Sequence, residues 1–230
     1  MDSYQKWSAY LADLTTLYSE WERRRFTGTV SGKRFREINT ICLFALCVEN
    51  NENKRFLIGF QERGLVTQPV PVTRLFENNF AEIEDCDVIL VPDLGPEGPA
   101  ERDIHRCQLV SYLNRAEPGT ADMIAFLEEK KLRVPRDDNL ILIVHVEQPT
   151  TFDYVKLSIA LQLRKPKCPY SQVFVLGQLG NTEPPRWFCA QLYPLFVPLC
   201  ELDGLTARDV LANREQICVW QKKSTVQNEC

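Results

Sequence analysis

Residues 140–146 read LILIVHV, apolar at six of seven positions and closed by the polar stretch Glu147, Gln148, Pro149. A short, unbroken apolar run bounded by turn residues is a strand buried on both faces, and such strands belong to sheets covered by helices. Two more runs have the same character, CDVILV at 86–91 and SQVFVLG at 171–177. Helical patterns separate them. Ile104, Cys107 and Val110 mark one face of a helix over 101–114. Met123, Ile124 and Leu127 mark one over 120–132. A third is expected over 151–164, with Thr151 as N-cap. Strands alternating with helices predict an α/β fold: a single-domain mixed, largely parallel sheet with helices on both faces.

The N-terminal third reads differently. Tyr4, Trp7, Tyr10, Leu11, Leu14, Leu17, Tyr18 and Trp21 recur at three- and four-residue spacing, which predicts an amphipathic helix over 3–25. FREINTICLFALCVEN (35–50) and KRFLIGFQERG (54–64) flank the Asn-rich ENNENK and are expected as a β-hairpin. LVTQPVPVTRL (65–75) holds two prolines, so it is expected as an edge strand or an extended crossing. NTEPPRWF (181–188) leads into an irregular, Pro-broken aromatic segment. LTARDVLANRE (205–215) is expected as a short helix and QICVW (216–220) as a last strand. The domain is expected to span 1–222, with 223–230 a frayed tail.

Composition narrows the function classes. The net charge of −4 argues against bulk binding of nucleic acid, though a local patch can still serve. Nine cysteines, an odd number with no C-x-x-C pair, and a start without basic and apolar leader regions suggest reduced thiols and a cytoplasmic protein. The longest apolar run, Ile41–Val48, is far short of a membrane span, so no membrane partner is expected.

In open α/β sheets ligands collect at the carboxyl ends of the strands. Three such ends are polar here. One carries Asp93 and the loop after it. One carries His145, Glu147 and Gln148. The third runs through Gly177, Gly180 and Asn181, a neutral loop suited to an anion or small ligand. Strand side chains alternate, so His145 and Glu147 share a face. Either the strand reaches solvent there, or the pair is held by partners; a metal is one such partner. Asp93 or Asp87 with Glu147 offers the carboxylate oxygens that Mg²⁺ or Mn²⁺ prefers, with His145 or Gln148 handling a proton.

That arrangement, with the Pro-Asp of VPD at 91–93 and a carboxylate on a later apolar strand, resembles the PD-(D/E)xK nucleases over residues 84–176. The resemblance implies metal-dependent cleavage of phosphodiesters. It departs from the family's pattern at Pro149, where the lysine belongs, with Gln148 one place early, and in the long separation of Asp93 from Glu147.

Arg23, Arg24, Arg25, Lys33, Arg34 and Arg36 are six cations within fourteen residues, interleaved with Phe26 and Phe35. Such a run holds single-stranded nucleic acid or an acidic protein, or else is a solvated helix end. GTVSGKR at 28–34 has one residue too few between its glycines for a phosphate loop and is read as a connection. No complete catalytic signature is present. The favoured expectation is a non-catalytic recognition or regulatory domain that binds a partner macromolecule or ligand at the strand ends, with Trp187, Phe188 and Tyr193 as exposed interface anchors.

Overall fold

The computed structural model describes residues 8–14, 17–19, 22–23, 27–28, 32–60, 70–71, 86–92, 104–113, 115–134, 140–146, 152–179, 186–203 and 218–219. The chain divides into two compact units, Met1–Gln108 and Leu109–Cys230. The fold is mixed α/β.

In the first unit β1 (Ser8–Asp13), β2 (Phe56–Phe60), β3 (Val70–Pro71), β4 (Val88–Pro92) and the start of β5 (His105–Tyr112) lie in the order β5-β4-β2-β1-β3. Each neighbouring pair is antiparallel. β3 is the edge, where Pro71 removes no internal ladder bond, as its prolines suggested.

Helix α1, Gly32–Glu52, is the main departure from expectation, since most of it was read as the first arm of a hairpin. Every residue from Ile41 to Glu49 is buried, so no polar face remains to reveal a helical period. Length was the usable signal, because 21 residues exceed any ordinary strand. The helix ends at Asn53, whose φ of 53° is the left-handed cap that reverses the chain. The buried Glu49 carboxylate then accepts the Phe56 N–H at 3.0 Å, which starts β2 beside the helix end.

Two further expectations are corrected in this unit. Ser8–Asp13 is a strand, and the helical residues described near the N-terminus begin at Leu14; Leu14, Leu17 and Tyr18 are buried. The segment expected as a helix over 101–114 is β5, paired so that Val88 faces Cys107 and Ile89 faces Arg106. Its three-residue spacing of apolar groups was coincidental, and pairing with β4 overrode it.

In the second unit β6 (Leu140–Val146), β7 (Gln172–Leu179), β8 (Arg186–Tyr193), β9 (Val197–Asp203) and β10 (Cys218–Val219) are neighbours in that order. β6 and β7 are parallel, joined through α3 (Tyr154–Leu163), and form a βαβ unit. The pairs β7–β8, β8–β9 and β9–β10 are antiparallel. The largely parallel sheet is therefore corrected: among the described pairings of the two units only β6–β7 is parallel. β8 was expected as irregular because prolines surround it. They bound the strand at 184, 185 and 194 and leave its interior intact.

Helix α2 (Thr120–Leu127) continues into a π-helical turn, Glu128–Leu132. Tyr112 receives the edges of Phe126 from α2 and Phe152 from the approach to α3. Among the described residues of this unit these two helices thus share one side, and a helix layer on each face is not seen among them. The N-cap of α3 is Asp153, not Thr151: its Oδ1 accepts the Lys156 N–H at 2.9 Å.

The start of α2 is held by a small polar cluster. The Tyr112 hydroxyl accepts the Gly119 N–H and donates to Asp122 Oδ2 at 2.6 Å. Arg115 grips the same carboxylate with Nε and Nη2, at 2.8 and 2.6 Å. These donors hold the Asp122 carboxyl down to about 2, from an ordinary 3.8. A depressed carboxylate stabilises the fold fully above its unfolded value and loses that contribution as the pH falls toward the folded one. Carbon-detected NMR titration is expected to find the Asp122 midpoint near 2, and Arg115→Gln to move it upward. A midpoint near 4 in the unaltered chain would exclude the cluster.

Candidate functional site

His145 is 4 % exposed near the end of β6, and its ring packs against Trp187 of β8 at 5.5 Å between centroids. Gly177 of β7 stands beside Val146: a Cβ there would lie 3.3 Å from the Val146 Cβ, so the glycine permits a close approach of side chain to backbone. This region is packed interior, and His145 sits in it as a core residue.

Asp93, Glu147, Gln148, Gly180 and Asn181 lie outside the described residues. Asp87 is exposed and stands immediately before β4, with its N–H bonded to the Cys107 carbonyl at 2.8 Å. Among the described residues no group of three or more His, Cys, Asp or Glu side chains is placed to hold a metal ion. The seven cysteines whose side chains are described, Cys42, Cys47, Cys86, Cys107, Cys168, Cys189 and Cys200, are free and buried, as small apolar groups of the core.

The basic run is partly visible. Arg23 is exposed on a helical segment, and Lys33 and Arg36 are exposed on the first turns of α1. Lys33 lies 3.8 Å from Glu37. Cations at a helix N-terminus face the unfavourable pole of its dipole, so this patch does not complement α1. Arg24, Arg25 and the Arg34 side chain lie outside the described residues. Trp187, Phe188 and Tyr193, expected as exposed anchors, are all buried in β8. Alternation puts Trp187 against His145 on one face of the sheet and Phe188 against Tyr154 of α3 on the other.

A surface that the sequence reading did not single out lies on α3. Val155, Ile159 and Leu163 are 52, 48 and 73 % exposed. They are four residues apart, and four residues advance a helix by about 40° beyond one full turn, so they form a continuous apolar ridge. Leu157, Ser158 and Leu161 occupy the opposite face and are buried. Tyr154, at the same helix's start, touches Phe188 and stacks on Phe196, and burial pushes its hydroxyl up to about 12. The helix is therefore apolar on two sides, one packed inward and one facing outward. Two apolar stripes are visible in YVKLSIALQL, but nothing in the pattern says which is buried.

Arg164 closes the C-terminal end of α3. Its side chain, 9 % exposed, pairs with both oxygens of Glu128 at 2.6 and 3.1 Å and reaches the Leu132 carbonyl at 2.6 Å. It also bonds the carbonyls of Pro166 and Lys167. These bonds place the residues after the π-helical turn, Arg133 and Val134, beside the end of α3; both are exposed. No helix of the described residues is long and apolar enough to cross a membrane. No family model, curated protein or solved structure matches this chain, so the geometry alone carries the functional reading.

Proposed function

We propose that this chain is a non-catalytic recognition domain that binds a partner protein, and that its docking surface is the outward face of α3. The observation that carries this reading is the ridge of Val155, Ile159 and Leu163, exposed on a helix whose other face is already packed. Scattered exposed apolar residues are ordinary, but three in one row on a rigid element form a patch of the kind proteins use for association. The docking surface thus moves from the strand ends, where His145 and Trp187 pack on each other, to a helix one connection further along the chain.

Replacing Val155, Ile159 and Leu163 together with serine is expected to leave the fold intact, because none of the three contributes to the core. Near-ultraviolet circular dichroism checks this. Affinity purification with the chain and with the triple variant, followed by reconstitution from purified components, is expected to yield a partner that binds the variant at least about tenfold more weakly, the effect of losing one good anchor. If every reconstituted complex bound the variant as well as the parent chain, the docking surface would lie elsewhere.

A further inference from the structure

We infer that the segment docked on α3 is an amphipathic helix with acidic flanks; this rests on the recognition reading above and adds the chemistry of the partner. Shape supplies the first argument. A row of residues four apart is the ridge that packs into the groove of another helix, and eight residues of rise make it about 12 Å long, two turns of a partner. A helix face offers no free backbone groups, so an added strand finds no ladder there. Nucleic acid seeks cations and stacking groups, which the aliphatic ridge itself lacks.

Charge supplies the second argument. Residues 154–167, YVKLSIALQLRKPK, contain four cations and no carboxylate, in a chain whose net charge is −4. Arg164 is occupied by Glu128 and three carbonyls. Lys156, Lys165 and Lys167 are exposed and form no ion pair among the described residues. Lys156 flanks the ridge along the helix, Lys165 and Lys167 follow its end, and Arg133 and Val134 stand beside that end. The nearby acids are committed: Glu128 to Arg164, Glu129 to Lys130 at 2.6 Å, and Asp153 to the helix cap.

Lys156 is the telling residue. It stands three places after the N-cap, where the dipole favours an acid and a glutamate would complete a capping box. A cation there opposes the helix's own preference, and broken local rules of this kind gather at functional surfaces. Apolar ridge and cationic rim together match a helix with an apolar stripe and acidic flanks, the helix-in-groove mode with electrostatic selection.

The test uses the full chain and three fluorescent synthetic peptides of one length, sharing a leucine stripe at four-residue spacing and differing only in flanks of glutamate, glutamine or lysine. Anisotropy is expected to show the acidic peptide bound at least about tenfold more tightly than the basic one. That preference should vanish or invert in the Lys156→Glu/Lys165→Glu/Lys167→Glu variant, and the serine triple variant should bind none of the three. Equal binding of all peptides, lost in the serine variant, would overturn the acidic partner and leave protein recognition standing. Binding only to vesicles of phosphatidylserine and phosphatidylcholine, through the same residues, would overturn both. A concentration-dependent dimer abolished by the serine variant in sedimentation would make the occupant a second copy and overturn the acidic helix, as would failure of every peptide to bind.

Discussion

Phe44→Ala is expected to cost about 4 kcal/mol of stability, the range for removing a buried aromatic side chain from a core. Phe44 is 1 % exposed near the middle of α1, and its neighbours from Ile41 to Cys47 are equally buried. The alanine leaves a void that surrounding side chains fill only in part. Single alanine substitutions at Ile41, Leu43, Phe44 and Leu46 are each expected to destabilise by about 2 kcal/mol or more, because a helix buried all round has no tolerant side. A half-buried strand would instead show sensitive and tolerant positions in alternation. Denaturant unfolding of the four variants decides between them, and a two-residue alternation in the losses would overturn the helix.

Arg164→Ala is expected to cost about 2 kcal/mol, since it breaks a half-buried ion pair and leaves the Leu132 carbonyl without its partner. The loss includes a bidentate pair with Glu128 and bonds to three carbonyls, all made by one side chain that is 9 % exposed. Arg164→Lys is expected to recover less than half of it, since one ammonium cannot reproduce a planar fork with five donors. Both variants loosen the joint between the π-helical turn and α3, so Lys165, Lys167 and Val134 lose their fixed placement. Calorimetry is expected to show a lowered melting temperature for both. Unchanged melting in Arg164→Ala would mean that these bonds merely replace equivalent ones to water.

The two variants sit on opposite sides of what a sequence shows. Arg164 follows a helix that was legible in advance, since 151–164 was expected and Tyr154–Leu163 is found. Its bonds to Glu128 and to the Leu132 carbonyl were not legible, because those residues are 36 and 32 places away in the chain. Phe44 lies in a segment read as a strand, because local pattern and three-dimensional burial pointed in different directions there. The candidate surface follows the same logic. Val155, Ile159 and Leu163 are plain in the sequence, but they look like half of a core face until Leu157, Ser158 and Leu161 are seen to fill that role. Trp187, Phe188 and Tyr193 made the opposite error, taken as exposed because prolines surround them and found inside a strand.

The amino-acid sequence by itself determined β4, β6, β7, α2 and α3, because each is a run of one periodicity closed by turn residues, and local sterics suffice to choose its conformation. It also determined that β6 and β7 run parallel, since a helix of this length between two short buried strands returns the chain to the same end. Only the tertiary structure decided that 32–52 is helical, that β5 and β8 are strands, and which side of α3 meets solvent. In those places the apolar residues satisfy more than one periodicity. Burial is not a property of a residue but of its neighbours, so the choice waits for the elements that pack around it.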